Sequence, residues 1–283
     1  MNYTELTLTV SPDFADILTA ELAELGYESF VETDAGLNAY IPETDFDEAA
    51  VTELIARYTA QTLIDYQTVL LEKRNWNAEW EANYDPIEVV TETGSVRVRA
   101  SFHAPDPAFQ HDLVINPKMS FGTGHHETTA MMLAHQLGIS HSGKRVLDVG
   151  SGTGILAILG VKLGAAYALA FDVEEWAVKN AIENADLNGC TNRMHVFQGT
   201  IADVDADERF DIILANINRN VLLAEIPAYV GLLSPGGCLL VSGFYETDAP
   251  DIQQKATDSG LTLTGSKTQN QWTSSKWQVI SSQ

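Results

Sequence analysis

Apolar and polar positions over the first 72 residues follow alternating strand-like and helix-like spacings. Residues 4–10, TELTLTV, place an apolar side chain at every second position, which is typical of a half-buried strand. The elements predicted after it are a helix from Pro12 to a stop at Gly26, a hairpin of SFVET and GLNAYIP, a second helix over DEAAVTELIARY and a closing strand IDYQTVLL. The order β-α-β-β-α-β predicts a ferredoxin-like α+β domain.

A second pattern begins at Arg145, where buried strands and helices alternate. The segments RVLDVG, YALAFDV, MHVFQG, FDIILANI and GCLLVSG read as strands, with helices over ILAILGVKLG and from about Glu175 to Leu187. This alternation predicts a doubly wound, Rossmann-like α/β sheet. The last segments, LTLTGSKTQN and SSKWQVIS, predict a closing hairpin, and PIEVV, SVRVRASFH and HDLVINP predict strands that precede the sheet.

These patterns divide the chain into three parts. Residues 1–74 form the ferredoxin-like domain, residues 75–84 a linker and residues 85–283 the larger domain. The linker sequence NWNAEWEANY predicts a short helix in which Trp76 and Trp80, four residues apart, share one face and pack a domain junction.

The composition indicates in which cellular compartment the protein is expected. The longest apolar runs are too short to span a bilayer, and the N-terminus lacks the features of a signal peptide, so no membrane association is expected. The two cysteines, Cys190 and Cys238, are far apart in sequence, which favours buried thiols over a disulfide framework. A cytoplasmic protein is expected.

The net charge of −23 is the strongest global signal. A surface this acidic repels phosphate backbones, so direct nucleic-acid binding is not expected. Residues 1–74 alone contain 15 acidic and 3 basic residues. A basic partner, a solubility function and a salt-adapted surface are all compatible with this charge.

The strand RVLDVG runs into a glycine loop, Asp148-Val-Gly150-Ser-Gly152-Thr-Gly154, and then into a helix. Glycines let the backbone approach a ligand, and a helix N-terminus offers free N–H groups. Asp172, at the end of the next strand, can accept both hydroxyls of a ribose. Loop, helix and acid together predict an adenosyl ligand, whereas the spacing fits neither the dinucleotide pattern nor a phosphate loop.

The stretch INPKMSFGTGHHETT, residues 115–129, permits three interpretations: a phosphate loop, a metal site or the lid of a pocket. A metal site would need His125, His126 and His135 to converge with Glu127. The stretch is not H-E-x-x-H, and positions 126 and 135 fall on different helix faces, so no metal is expected. We interpret Phe121-Gly-Thr-Gly124 as a flexible lid turn.

Four segments in this order, INPKMSFGTGHHETT, LDVGSGTGILAI, KLGA and ILANI, carry a family resemblance. The chain resembles the class I methyltransferases and, more closely, the PrmA family, which methylates large-subunit ribosomal protein L11. The resemblance covers nearly the whole chain and implies a Rossmann-like class I methyltransferase sheet, S-adenosylmethionine as cofactor and substrate recognition by the small N-terminal domain. Ile217 stands where amine methyltransferases often carry a proline.

The resemblance implies that Thr129, Gly150, Asp172 and Asn216 contact the cofactor or the reacting centre. Asn216 is the candidate for orienting the amine, and it is the one catalytic residue expected. The expected cofactor-binding set is completed by Gly152, by Asp148 near the cofactor's amino-acid end, and by Phe121, Gly122 and Thr123 of the lid. Without the resemblance, Asn216 could equally be a strand-end cap.

The expected function is therefore a protein N-methyltransferase. The resemblance implies methyl transfer from S-adenosylmethionine to lysine and N-terminal amines of ribosomal protein L11. The alternatives are an N-methyltransferase acting on another protein or a small molecule, and an adenosyl-binding module without catalysis.

Overall fold

The computed structural model describes residues 2–33, 35–71, 85–116 and 126–279, and within these it leaves the side chains of Asp13 and His126 undescribed. The chain divides into two units, Met1–Asn83 and Tyr84–Gln283. The helix expected over residues 75–84, with Trp76 and Trp80, lies outside the described residues.

The described part of the first unit is a four-stranded antiparallel sheet with helices on one face. Its strand order is β2-β3-β1-β4. The elements are β1 (Tyr3–Thr9), α1 (Pro12–Glu24), β2 (Ser29–Thr33), β3 (Gly36–Pro42), α2 (Glu48–Tyr58) and β4 (Asp65–Leu71). This order and pairing confirm the ferredoxin-like domain.

Local chemistry explains where the helices of this unit begin and end. Pro12 occupies the first turn of α1, and Gly26, at φ 95°, follows its end in a left-handed conformation. Helix α2 begins at Glu48, within the predicted segment DEAAVTELIARY. Asp47 is its N-cap and accepts hydrogen bonds from the amides of Ala49 and Ala50 at 2.8 and 3.2 Å.

Strand alternation separates the two faces of this sheet. Leu6 and Leu8 of β1 are buried with Leu18 and Leu54 of the helices. The intervening positions face the other way, and there Glu5 is paired across the strands with Tyr40 and Val69.

The second unit contains a seven-stranded sheet of order β10-β9-β8-β11-β12-β14-β13 and a three-stranded sheet of order β5-β6-β7. Its elements are β5 (Ile87–Thr91), β6 (Gly94–Arg99), β7 (His111–Val114), α3 (His126–Leu137), β8 (Arg145–Val149), α4 (Ile155–Lys162), β9 (Tyr167–Asp172), α5 (Glu175–Leu187), β10 (Met194–Gln198), β11 (Phe210–Asn216), α6 (Arg219–Leu232), β12 (Leu233–Tyr245), α7 (Ala249–Asp258), β13 (Leu261–Gln269) and β14 (Trp272–Val279).

The large sheet is buried on both faces, as the continuous apolar strands predict. Val146 and Leu214 pack into one core with helix α4, whereas Leu147 and Ile213 pack into the other with helix α6. Strands β8 to β12 are parallel, and β14 pairs antiparallel with β12. This is the sheet expected of a class I methyltransferase, closing hairpin included.

One strand boundary and two helices differ from the sequence prediction. Strand β6 ends at Arg99 rather than running to His103, because the chain turns there: the amide of His103 donates to the carbonyl of Ala100 at 3.1 Å. Helices α6 and α7 were not delimited from the sequence, and α6 accommodates Pro227 in its interior.

The sheet has one point at which the strand order reverses. Strand β8 lies between β9, which follows it in the chain, and β11, which returns from the other side. In open α/β sheets, ligands bind outside the carboxyl ends of the strands at such a reversal. Gly150 follows β8 and Asn216 ends β11, so both expected site residues lie at this reversal.

Candidate active site

The glycine loop adopts a conformation that disfavours side chains. Gly150, Gly152 and Gly154 have φ angles of 62°, 53° and 77°, in the left-handed region. A Cβ atom on Gly150 would lie 2.5 Å from the Cγ2 atom of Ile217, so the loop also packs closely against the residue after β11. The loop amide of Ser151 continues the sheet by donating to the Phe171 carbonyl at 2.9 Å.

Asp148 sits beneath this loop and supports the start of helix α4. Gly154, the N-cap, has no side chain with which to accept a hydrogen bond, and the Oδ2 atom of Asp148 accepts one from the Ala157 amide at 3.0 Å. The side chain is 1% exposed. Burial raises the pKa of Asp148 to about 7, and the neighbouring charge of Asp172 adds to the rise. Asp148 thus supplies the side-chain acceptor that Gly154 lacks. A contact between Asp148 and the cofactor stays a prediction.

Asp172 ends β9 and holds the glycine loop directly. Its Oδ2 atom accepts a hydrogen bond from the Gly152 amide at 2.9 Å, and its Oδ1 atom accepts one from the Glu174 amide at 3.0 Å. The residue is only half-buried. A carboxylate oxygen can accept more than one hydrogen bond, so Asp172 retains the capacity to accept ribose hydroxyls.

Asn216 contacts Thr129 across the carboxyl edge of the sheet. The Nδ2 atom of Asn216 donates to the Thr129 hydroxyl at 3.4 Å, a long hydrogen bond. The role of helix cap belongs instead to Asn218, whose side-chain oxygen accepts from the Val221 amide at 3.2 Å. Asn216 is therefore not the N-cap of α6. Among the described residues, none donates to its Oδ1 atom.

The remaining expected residues are placed as follows. Phe121, Gly122 and Thr123, like His125, lie outside the described residues. His135 is buried, and its Nε2 atom lies 3.1 Å from the Ser274 hydroxyl, while burial lowers its pKa to about 4. Within the described part of the chain, no group of three or more His, Cys, Asp or Glu side chains is placed to hold a metal ion.

Sequence reasoning missed a glycine that shapes the site from β12. A Cβ atom on Gly243, at φ 94°, would lie 2.2 Å from the Ile217 carbonyl oxygen. Gly243 thereby lets residue 217 approach β12 and holds it against Gly150. In the sequence, this glycine is the last residue of GCLLVSG, and there it indicates only the end of a strand.

These residues fit an adenosyl ligand. The glycine loop exposes backbone at the N-terminus of α4, Asp172 adjoins it, and the Ser151 hydroxyl is buried without a hydrogen-bond partner among the described residues. An unpartnered buried hydroxyl in a ligand loop is suited to a polar ligand group.

None of the described helices is long and apolar enough to cross a membrane.

Comparison with known proteins identifies the family. The family model "Ribosomal protein L11 methyltransferase (PrmA)" matches residues 9–279. A ribosomal protein L11 methyltransferase of Bacteroides fragilis is 40% identical over 281 residues, covering 98% of this chain and 99% of that protein. One from Porphyromonas gingivalis is 42% identical over 270 residues, covering 95% and 91%.

A solved structure agrees with this assignment. The crystal structure of a ribosomal protein L11 methylase from Lactobacillus delbrueckii subsp. bulgaricus superposes with a TM-score of 0.62 at 28% identity, covering 69% of this chain and 97% of that one. The chain therefore belongs to the PrmA family of ribosomal protein L11 methyltransferases, class I enzymes whose cofactor is S-adenosylmethionine.

Proposed function

We propose that this enzyme transfers methyl groups from S-adenosylmethionine to lysine and N-terminal amines of ribosomal protein L11. The observation that carries the proposal is the position of Asn216, at the sheet reversal beside the glycine loop. Its amide nitrogen is directed to Thr129, which leaves Oδ1 to accept a hydrogen bond from an amine. The bound cofactor would supply an electrophilic methyl group.

Catalysis on this proposal is mostly positioning. A neutral amine would bond to the methyl carbon as the methyl–sulfur bond breaks and S-adenosylhomocysteine leaves. Such an in-line displacement needs the nitrogen lone pair aimed along one direction. A hydrogen bond from the amine to Asn216 Oδ1 fixes one N–H and therefore restricts where the lone pair points. Thr129 in turn fixes the amide plane of Asn216.

Protonation is the main obstacle for a lysine substrate. At pH 7, deprotonating a lysine with a pKa of about 10.4 costs about 4.6 kcal/mol. Removal from water and the adjacent positive charge of the cofactor both favour the neutral amine. Each methyl group added removes one N–H, so a site for repeated transfer must orient the amine with few hydrogen bonds, as a single Asn216 oxygen would.

We propose further that residues 1–74 recognise the substrate protein. The supporting observation is the charge of this unit: within residues 1–71 the one basic residue is Arg57, and it pairs with Glu21 at 3.0 Å. The sheet face away from the helices presents Val31 and Val69, which are 48% and 45% exposed, and Val69 lies beside Glu5. Such a face suits a basic protein with apolar contact residues.

The net negative charge of the chain also bears on which molecules the enzyme binds. A net charge of −23 disfavours direct nucleic-acid binding, so we propose that the enzyme reads its substrate through protein contacts. Because the proposed substrate is a ribosomal protein, we propose that the reaction takes place in the cytoplasm.

Labelled cofactor tests this function against its alternatives. The enzyme is incubated with methyl-labelled S-adenosylmethionine and an extract of cells that lack it, and labelled products are separated by mass. Label in ribosomal protein L11, located at lysine and the N-terminus by peptide mapping, supports the proposal. Label in another protein or in small metabolites supports a different N-methyltransferase, and absence of transfer with intact cofactor binding supports a binding module.

A further inference from the structure

Three asparagines on one face of helix α5 form what we term the asparagine ladder: Asn180, Asn184 and Asn188. They are spaced four residues apart, so they lie in a row along the helix. Their exposed fractions are 1%, 0% and 6%. Three buried amides in a row are costly unless their hydrogen bonds are satisfied, so each needs specific partners.

The partners are main-chain groups of residues 114–116, at the carboxyl end of strand β7 and directly after it. The Asn188 side chain accepts from the Val114 amide at 3.0 Å and donates to the Val114 carbonyl at 2.7 Å. The Asn184 side chain accepts from the Asn116 amide at 3.0 Å, and that of Asn180 donates to the Asn116 carbonyl at 3.0 Å. The helix side chains thus act as a neighbouring strand would.

The spacing of the two elements explains this pairing. Four residues of an α-helix advance about 6 Å along its axis. Two residues of a strand advance about 6.6 Å. Asn188 and Asn184, four residues apart on the helix, therefore match Val114 and Asn116, two residues apart on the extended chain. Asn180, one turn earlier in the helix, donates to the carbonyl of the same Asn116.

Asn184 differs from the other two because it also contacts the glycine loop. Its Nδ2 atom donates to the Thr153 carbonyl at 3.0 Å, while its Oδ1 atom accepts from Asn116. Thr153 directly precedes Gly154, the N-cap of α4. One fully buried amide therefore joins the loop of the cofactor site to a strand end 68 residues from Asn184 in sequence.

We propose that Asn184 is a positioning residue that couples S-adenosylmethionine binding at the glycine loop to the order of residues 114–116. The coupling is reciprocal: cofactor binding steadies the strand end, and a steady strand end strengthens cofactor binding. The inference rests on cofactor binding alone and not on the identity of the methylated protein.

The test compares two substitutions that remove similar hydrogen bonds, Asn184→Leu and the matched control Asn188→Leu. Asn184→Leu leaves the Asn116 amide and the Thr153 carbonyl without their side-chain partner. Asn188→Leu does the same to both main-chain groups of Val114 and to the Asn184 carbonyl, so it should lower Tm at least as much. Of these two asparagines, only Asn184 donates a hydrogen bond to the glycine loop. We expect Asn184→Leu to raise the Kd for S-adenosylmethionine about tenfold in calorimetry, and Asn188→Leu to change it less than about threefold. Equal effects of the two substitutions would overturn the proposal.

Amide hydrogen exchange gives a second readout, and its first measurement uses the parent protein alone. In the parent protein, S-adenosylmethionine should slow exchange of the Val114 and Asn116 amides severalfold. In Asn184→Leu, Val114 should lose this response, and in Asn188→Leu, Asn116 should keep it. A parent that binds cofactor with unchanged exchange at both amides refutes the coupling. A parent that does not bind cofactor refutes the coupling and the cofactor assignment together, whereas failed methylation of ribosomal protein L11 with intact coupling refutes only the proposed substrate.

Discussion

The side-chain nitrogen of Asn216 donates a hydrogen bond to the hydroxyl of Thr129, at 3.4 Å, and so joins the end of β11 to the first turn of α3. The contact sets the orientation of the Asn216 amide, because the hydrogen-bonded nitrogen must point toward α3. The amide oxygen then points away from Thr129. An amine that approaches the glycine loop meets an acceptor of fixed direction.

Asn216→Ala should lower kcat for ribosomal protein methylation about 100-fold, the scale expected when a reacting group is misplaced by about 1 Å. Cofactor affinity measured by calorimetry should change little. The matched control is Asn218→Ala, two residues on, which should cost about 1 kcal/mol of stability through loss of the α6 cap and leave kcat unchanged. Parental turnover in Asn216→Ala would remove Asn216 from catalysis.

Asp172→Ala should weaken S-adenosylmethionine binding by about 1.5–3 kcal/mol, the range for hydrogen bonds to a charged group. The substitution removes the proposed ribose acceptor and also releases the Gly152 amide. Titration calorimetry measures the change. Asp203→Ala is the control, since Asp203 likewise accepts a main-chain amide after a strand, from Thr200 at 2.8 Å, but makes no hydrogen bond to the glycine loop. Equal affinities in the Asp172 variant and the parent would contradict the prediction.

Asp148→Asn should make the protein more stable at pH 8 and leave stability nearly unchanged at pH 4. In the folded protein the pKa of Asp148 is raised from 3.8 to about 7, so the ionised form destabilises the fold increasingly as pH rises through this window. The full effect above pH 7 is at most about 4 kcal/mol, at about 1.4 kcal/mol for each pKa unit. Asparagine keeps an oxygen that can accept from the Ala157 amide. Chemical denaturation at a series of pH values measures the difference.

Asp203→Asn serves as the control of opposite sign for this pH series. Hydrogen bonds from Thr200 lower the pKa of Asp203, so its ionised form stabilises the fold at neutral pH and that stabilisation is lost as pH falls toward and below its usual value. Its replacement should therefore destabilise at pH 7. A stability gain for Asp148→Asn that does not depend on pH would show that burial of the charge is not the cause.

A chain that starts at Asp85 should fold and bind S-adenosylmethionine within a few-fold of the parent. The glycine loop, Asp172 and Asn216 all lie in the second unit, Tyr84–Gln283, which has its own cores. Methylation of ribosomal protein L11 should be almost lost, while trace activity on free lysine peptides should survive. Retained methylation of the protein would place recognition in the second unit, and lost cofactor binding would show that the two units fold together.

Local signals made much of this architecture predictable. Pro12, Gly26 and the glycine loop act through their own backbone preferences, so their effects are visible in short stretches of sequence. The contacts of the site are of another kind. The sequence does not indicate whether Asn216 or Asn218 is the N-cap of α6, because that depends on the residue at which the helical backbone begins. The sequence likewise does not indicate that Asp148 accepts a hydrogen bond from the Ala157 amide.

The missed features depend on distant pairs. Gly243 is required by the carbonyl of Ile217, directly after the neighbouring strand β11. Asn184 pairs with residues 116 and 153, which lie 68 and 31 positions away. Asparagines in a helix usually indicate an exposed face or a helix end, and sequence periodicity alone does not reveal that a buried main-chain edge lies opposite.

The asparagine ladder also limits how the length of helix α5 can change. One inserted residue turns the following part of the helix by about 100°, so an insertion between Asn180 and Asn188 would carry at least one asparagine off the face that meets residues 114–116. Substitutions on the outer face of α5 leave this alignment intact. Helix α5 should therefore accept many changes of residue type but few changes of length, and insertions in this enzyme should be tolerated instead in surface turns such as the one after β10, at residues 205–209.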